Sequence, residues 1–251
     1  MAKNGVLVVT GGSRGIGAAV SLLAAERGWA VVVNYASNVA AAEHVTAQIL
    51  AKGGEAIAVR GDVSLPEDVE HIFAAADRLG KVTGLVNNAG MTDRASRVED
   101  MTAERINRVL AVNVTGSFLC AAAAVKRMST RHGGTGGAIV NLASGASKLG
   151  GPGTFVDYAA AKGAIDSFTI GLALEVAGEG VRVNSVRPGL IDTEFHDLTG
   201  DPDRVAKLVS GVPIPRAGTA LEVAYAILWL LSPEAAYSTG TTITVSGGRA
   251  I

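Results

Sequence analysis

The chain alternates between short apolar runs rich in valine and longer stretches whose apolar positions recur every three or four residues. The first pattern marks a strand buried on both faces, the second a helix packed over such strands. Residues 5–10 read as a strand, a glycine-rich turn follows, and a helix runs from 16 to 27 with Gly28 at its C-terminal cap. Further strands are expected at 30–34, 56–60, 84–87, 138–142, 181–186 and 241–245. Helices are expected at 40–51, 66–79, 157–178 and 220–231, with a long one at 103–130 broken near Thr115-Gly116. Pro66 suits the first turn of its helix, and Val69, Ile72, Phe73 and Ala76 share one face there. Strands and helices alternate from end to end, which predicts right-handed βαβ units. The expected architecture is α/β, a single domain over residues 1–251. It is a Rossmann fold whose seven-stranded, parallel, doubly wound sheet carries helices on both faces. One stretch breaks the pattern. Residues 192–218 are polar, carry Pro202, Pro213 and Pro215, and are too long for a plain connection, so a substrate lid is expected there.

Composition narrows the reading. With 251 residues and 48% apolar content the chain can build a sizeable core, but aromatics are only 4% and glycines number 32. The core is therefore aliphatic and its helices pack closely. A net charge of -1 and the absence of any five-residue basic run exclude a field that attracts nucleic acid or a membrane surface. Cys120 is the sole cysteine and lies in an apolar stretch, so it reads as a buried structural thiol. His44, His71, His132 and His196 are scattered without metal-ligand spacing, so no metal is expected. No signal-like segment precedes the first strand and no apolar run reaches membrane-spanning length, which predicts a cytoplasmic protein.

The chemistry starts at the first strand-to-helix turn, Thr10-Gly11-Gly12-Ser13-Arg14-Gly15-Ile16-Gly17. Glycines allow a tight turn and close approach of backbone to a pyrophosphate, and a helix N-terminus offers free N–H groups to it. Tyr158 and Lys162 lie four positions apart on an expected helix and share a face. A phenol titrates near pH 10, and a neighbouring ammonium would favour the phenolate, so Lys162 is expected to lower the pKa of Tyr158.

The spacing of that glycine loop resembles the short-chain dehydrogenases/reductases, and the resemblance continues along nearly the whole chain. Asn87-Asn88-Ala89-Gly90, Asn113, Ser144, Tyr158-Ala159-Ala160-Ala161-Lys162, and Pro188-Gly189 with Thr193 match the family's motifs in order. The chain looks closest to glucose 1-dehydrogenase-like and 3-oxoacyl-carrier-protein reductase-like members. The resemblance implies an NAD(P)-dependent oxidoreductase that moves a hydride between nicotinamide and a carbonyl or secondary alcohol. Tyr158 would then be the acid/base, Lys162 would also hold the ribose, Ser144 would orient the substrate and Asn113 would serve a proton relay. The family often sets its serine one position closer to the tyrosine, so Ser147 is a rival to Ser144. The implied cofactor contacts are Gly11, Ser13, Arg14, Gly15, Ile16 and Gly17 of the loop. Asn34, Tyr35 and Ser37 follow the second strand, Asp62 and Val63 the third, and Asn88, Ala89 and Gly90 the fourth. Tyr158, Lys162, Pro188, Gly189, Ile191 and Thr193 complete the set. In the Asn87–Gly90 motif the amides can equally stabilise the sheet centre.

No acidic residue ends the second strand, Val33-Asn34-Tyr35-Ala36-Ser37, and Arg14 stands inside the loop. An acid there would select NAD, so NADP(H) is favoured and NAD(H) stays open. Ser37 or Asn38 could donate to a phosphate, but the family's second basic position after this strand is unfilled. The substrate is expected to be a small molecule, and Phe195, His196 and Leu198 are candidates to touch it. A sugar, a 3-oxoacyl thioester and a small ketone all fit. The 192–218 stretch lacks an obvious basic cluster, which counts against a carrier-protein substrate, although Arg204 and Lys207 are available. Resembled proteins assemble through the 220–231 helix and the tail, where Ser246 replaces a common aspartate. A homotetramer is expected, with a homodimer as the alternative. A non-catalytic cofactor sensor or scaffold on the same fold is the competing function, and the complete set Asn113, Ser144, Tyr158 and Lys162 argues against it.

Overall fold

A computed structural model of the chain describes residues 4–201 and 203–250. Residues 1–3 ahead of the first strand, Pro202 in the expected lid and Ile251 at the end of the tail lie outside the described residues. Seven strands form one sheet: β1 (Val6–Val9), β2 (Ala30–Tyr35), β3 (Glu55–Arg60), β4 (Val82–Asn87), β5 (Gly137–Leu142), β6 (Val181–Pro188) and β7 (Thr242–Val245). All neighbours pair in parallel in the order β3-β2-β1-β4-β5-β6-β7. The chain winds outward from β1 to β3, then returns to place β4 on the other side of β1. The carboxyl ends of β1 and β4 therefore diverge into a crevice, the place where open parallel sheets bind ligands.

The helices are α1 (Gly15–Glu26), α2 (Val39–Ala51), α3 (Pro66–Leu79), α4 (Ala103–Leu110), α5 (Gly116–Met128), α6 (Ala146–Leu149), α7 (Val156–Val176), α8 (Arg204–Val209) and α9 (Ala220–Leu231). Successive strand residues point to opposite faces, so each valine run feeds two cores. Val6 and Val8 join Phe73 of α3 and Cys120 and Ala124 of α5 on one face. Leu7 and Val9 join Val20 of α1, Val45 of α2 and Ile227 of α9 on the other. This is the expected doubly wound arrangement with helices on both faces.

Three local expectations need correction. The long helix is not broken near Thr115-Gly116: a π-helical turn spanning Ala111–Thr115 joins α4 to α5 without interruption. It stops at Met128, and Thr130 belongs to a separate 3-10 turn, Thr130–His132. Within the combined stretch Ala103–Met128 an 18-residue window reaches a mean hydropathy of 1.6, long and apolar enough to cross a membrane, contrary to expectation. Its packing gives that apolarity another use, since Cys120, Ala121, Ala124 and Met128 belong to the core. Finally, α2 starts one residue earlier than expected because Asn38 caps it, its Oδ1 accepting the Ala41 N–H at 3.0 Å. The irregular 192–218 stretch contains a 3-10 turn (Glu194–Thr199) and α8. Its base is closed by an isolated bridge between Ile191 and Gly218.

Candidate active site

A cleft of about 710 Å³ opens at the carboxyl ends of the strands. Of the residues expected to bind cofactor or act on substrate, all but Gly17 and Asn113 line it. Those two stand just behind its wall and shape it. A Cβ at Gly17 would overlap the Gly11 carbonyl oxygen, so only glycine lets α1 begin this close to the loop. Asn113 is fully buried in the π turn. Its Nδ2 donates to the Met91 and Val109 carbonyls, each at 2.8 Å. Its Oδ1 is buried without a partner and faces Gly90, where a Cβ would come within 2.9 Å of it. A π turn widens a helix by one residue, and Asn113 stands at the middle of this one, its amide meeting the Val109 carbonyl one turn back.

The nucleotide end is braced by amides. Asn34 Oδ1 accepts the Gly11 N–H at 3.2 Å, and its Nδ2 donates to Gly61 O at 2.9 Å. Asn88 Nδ2 donates to the carbonyls of Thr10 and Gly11, both at 2.9 Å. These two side chains are thus engaged in holding the loop against β2, β3 and β4. Asn87 turns the other way, donating to Asn141 at 2.9 Å, and Asn141 donates to Thr169 at 3.0 Å. Of the two readings left open for Asn87–Gly90, the amides serve the sheet and loop, while Ala89 and Gly90 face the cleft. Asp62 Oδ1 accepts from the Ser64 N–H and hydroxyl at 2.9 and 2.7 Å. Thr193 stands over the loop, its Cγ2 3.3 Å from where a Gly15 Cβ would lie.

Sequence reasoning missed a charge here. Arg60 ends β3 in register with Tyr35, and its Nε donates to the Ala36 carbonyl at 3.3 Å. A guanidinium therefore does stand beside the turn after β2, supplied by the adjacent strand. The strand pairing is the signal that would have found it.

At the other end, backbone pairing continues past β5. The Ala143 and Gly145 N–H groups donate to Val186 O at 2.9 Å and Pro188 O at 2.8 Å, which fixes Ser144 between them. The Ser144 hydroxyl, which accepts the Ala146 N–H at 3.1 Å, and Tyr158 line the same part of the cleft. Ser147 is engaged elsewhere: its Oγ donates to Asp166 Oδ2 at 2.7 Å and accepts from Arg187 Nε at 3.2 Å, beside the Arg187–Asp166 ion pair of 2.9 Å. Lys162, one turn beyond Tyr158 on α7, donates from Nζ to Leu142 O at 2.8 Å and lies 5.6 Å from the tyrosine ring centroid.

The expectation that Lys162 lowers the phenol's pKa is corrected. Burial pushes Tyr158 up to about 12, with the nearby Ser144 hydroxyl acting the other way. Burial brings Lys162 down to about 8, opposed by the Asp166 carboxylate. The lysine's ammonium is engaged by the β5 end, so desolvation governs the phenol. Across physiological pH Tyr158 is a neutral acid beside a largely charged lysine.

Phe195, from the 192–218 stretch, packs on the Tyr158 ring with centroids 5.6 Å apart. His196 Nε2 lies 2.9 Å from Ile191 O, while its Nδ1 is buried without a partner. Desolvation first, then the nearby Arg204 charge, hold that imidazole below its ordinary pKa, against the hydrogen bond to Ile191 and two nearby aspartates. Arg204 and Arg249 also line this end of the cleft, and nothing in their sequence positions brought them together.

Comparisons with known proteins agree with this geometry. Residues 11–250 match the family model described as Enoyl-(Acyl carrier protein) reductase. The chain is 53% identical to the uncharacterized oxidoreductase YgfF of Escherichia coli (strain K12), over 97% of this chain and 99% of that one. It is 41% identical to a 3-oxoacyl-[acyl-carrier-protein] reductase of Synechocystis sp., covering 97% and 96%. It is 36% identical to glucose 1-dehydrogenase 2 of Bacillus subtilis, covering 97% and 94%. Among solved structures, a Serratia marcescens short-chain dehydrogenase/reductase mutant superposes with TM-score 0.91 at 30% identity, covering 99% of each chain. A blue fluorescent protein from a metagenomic library, in complex with NADPH, superposes with TM-score 0.90 at 33% identity, again over 99% of each. Sequence, sheet order and cleft converge, and the chain belongs to the short-chain dehydrogenase/reductase family of NAD(P)-dependent oxidoreductases.

Proposed function

We propose that the protein interconverts a carbonyl and a secondary alcohol, acting on the CH–OH group of a small molecule, with Tyr158 as its acid/base. The observation that carries this reading is the meeting of the Ser144, Tyr158 and Lys162 side chains in one cleft, with Lys162 one helical turn beyond the tyrosine. A bound nicotinamide would supply or accept the hydride at the substrate carbon. In the reducing direction the Tyr158 hydroxyl gives its proton to the substrate oxygen, and the Ser144 hydroxyl hydrogen-bonds the same atom. Lys162, still largely charged below about pH 8, would hold the nicotinamide ribose beside the tyrosine. The unpartnered Asn113 Oδ1 behind Gly90 offers an acceptor for a proton relay that restores the phenol. The residues fit the cofactor in the ways chemistry requires: a helix N-terminus behind a glycine loop for pyrophosphate, and space beside Gly90 that a side chain would fill. Gly11, Ser13, Gly15 and Ile16 would hold the pyrophosphate end. Asp62 and Val63 would hold the adenine, and Pro188, Gly189, Ile191 and Thr193 the nicotinamide.

Arg14 and Arg60 lie near the end of β2, where no carboxylate opposes a 2′-phosphate, and this supports NADP(H) over NAD(H). The 192–218 stretch, hinged at Ile191 and Gly218, acts as the lid, and Phe195, Leu198 and Leu149 give it an apolar lining. The substrates named for the relatives, a 3-oxoacyl thioester and glucose, both present an oxygen this pair can serve.

The deciding experiment follows nicotinamide absorbance with a panel of ketones and alcohols for the wild type and Tyr158→Phe. Turnover in the variant is expected to fall about 10²–10⁴-fold, the range for loss of a general acid, with cofactor affinity retained. Undiminished turnover overturns the assignment.

A homotetramer is supported by two separate exposed apolar faces. Phe118 of α5 with Ile170 and Leu174 of α7 forms one, and Leu221, Tyr225 and Trp229 of α9 form the other. Two self-complementary faces per chain build a dimer of dimers, whereas one would stop at a dimer. Light scattering that returns the mass of two chains at micromolar concentration would remove this part of the proposal.

A further inference from the structure

The substrate end of the cleft holds two cations that the reaction itself does not use. Arg204 opens α8, and its guanidinium lies 4.7 Å over the ring of Phe155, three residues before Tyr158. Arg249 comes from the tail after β7 and donates from Nη1 to Leu208 O at 2.9 Å, at the other end of α8. Its neighbour Ala250 lies against Gly145, where a Cβ would come within 2.9 Å of it, so the tail is seated beside Ser144. Both arginines line the cleft, and both are half-buried. The segments that carry Ser144 and Tyr158 thus each support one guanidinium.

Among the described residues no carboxylate lies within ion-pair distance of either, although the neighbouring Lys207 is paired with Asp201 at 2.7 Å. The Phe155 face stabilises the Arg204 charge but accepts none of its N–H bonds. Burial and the adjacent Arg249 charge both press the Arg204 guanidinium below its ordinary range, and Asp201 only partly opposes them. Of the carboxylates that line the cleft, Asp62 follows β3 at the nucleotide end, and Glu194 is exposed and follows Thr193, which stands over Gly15. Two like charges held together in a partly desolvated wall are unfavourable until an anion is placed between them. Guanidinium forks match carboxylate, sulfonate and phosphate oxygens in pairs.

Building on the reaction proposed above, we infer that the substrate carries an anionic group, bound by Arg204 and Arg249, while its carbonyl is presented to Tyr158 and Ser144. The substrate class is a short oxo or hydroxy compound ending in a carboxylate, sulfonate or phosphate.

The test uses matched pairs with NADPH: 3-oxobutanoate against its methyl ester, hydroxyacetone phosphate against hydroxyacetone, and 2-oxopropanesulfonate against 2-butanone. In the wild type, kcat/KM for the anionic member of at least one pair is expected to exceed that of the neutral member by about tenfold or more. That factor corresponds to one charge-assisted hydrogen bond. The preferred pair identifies the anion. In Arg204→Gln, Arg249→Gln and the double variant, the ratio falls toward unity through KM. Because the ratio is read within one variant, partial loss of folded protein cancels. Neutral ketones turned over as well as anionic ones by the wild type, or a ratio unchanged in the double variant, overturns the inference. Should no ketone turn over, calorimetric titration of hydroxyacetone phosphate into the NADP-saturated protein separates the two claims. Binding that is lost in the double variant keeps the anion site and removes the proposed reaction; no binding removes the anion site.

Discussion

Arg105 of α4 grips Asp157 in the first turn of α7 through two contacts, Nε to Oδ2 at 2.8 Å and Nη2 to Oδ1 at 3.3 Å. The Asp157 side chain is only 2% exposed and that of Arg105 11%. The same carboxylate accepts the Tyr158 N–H at 2.9 Å, and Arg105 also donates to Arg94 O at 2.7 Å. One ion pair thus joins the helix before the π turn to the helix that carries the tyrosine. Removing one partner of a buried pair strands the other charge. Asp157→Ala is expected to lower stability by about 3–5 kcal/mol, read by urea denaturation. Loss of the N-terminal anchor of α7 should also reduce kcat more than cofactor affinity. A cost under about 1 kcal/mol would mean that solvent reaches Arg105 freely.

Lys162 and Tyr158 make a pH prediction with a definite sign. Burial depresses Lys162 from 10.5 to about 8 in the native state. Between these values the unfolded chain binds the proton and the native one does not, so stability rises with pH across this window. Tyr158 is raised from 10.0 to about 12, so above pH 10 the native state holds the extra proton and stability falls. Tyr158 is only partly buried, and solvent in the cleft softens its share. The stability of wild type relative to Lys162→Met should therefore improve from pH 8 towards pH 10. A difference that is flat over this range, measured by thermal unfolding, would show that Lys162 titrates normally.

The parts legible in the sequence were those carried by local spacing. Runs such as Val6–Val9 are buried on both faces and read directly as parallel strands. Tyr158 and Lys162 sit one turn apart on a helix, and Ser144 lies two residues past a strand end. What stayed hidden depends on chain segments meeting in space. Arg60 reaches Ala36 only through the β2–β3 register, and Arg249 reaches Leu208 of α8 only because the tail returns to it. The π turn at Asn113 leaves no compositional trace, since one extra residue per turn alters hydrogen bonding but not hydropathy. The direction of the Tyr158 shift was misread because sequence gives the distance between two residues along a helix but not the burial around the hydroxyl.

Gly17 provides a test of the glycine loop apart from catalysis. Its missing side chain lets the Gly11 carbonyl, which also accepts from Asn88 Nδ2 at 2.9 Å, lie against the start of α1. Gly17→Ala forces the loop outward and breaks the amide brace. Cofactor binding by fluorescence titration should be lost, with stability lowered by about 1–3 kcal/mol, as for overpacked sites. Gly163→Ala on α7, where an added methyl meets nothing within 4 Å, serves as the control that leaves binding unchanged. Normal affinity in Gly17→Ala would show that the loop relaxes without consequence.

Cofactor choice rests on charge at the end of β2. Arg14 caps α1 and is exposed beside the loop, and Arg60 donates to Ala36 from the neighbouring strand. A 2′-phosphate carries the charge that these guanidiniums can meet, while a bare ribose does not. Arg14→Glu is expected to weaken NADPH binding by about tenfold or more, one charge-assisted hydrogen bond plus new repulsion, and NADH binding far less. Arg60→Glu should act in the same direction with a smaller effect, because one of its N–H groups is already engaged by Ala36. The two effects should combine in the double variant, whose NADPH preference would be lost, and raising salt should shrink the wild-type preference because both charges are exposed. Equal loss of NADPH and NADH affinity in Arg14→Glu would assign that residue to the shared pyrophosphate instead, and the preference would then need another source.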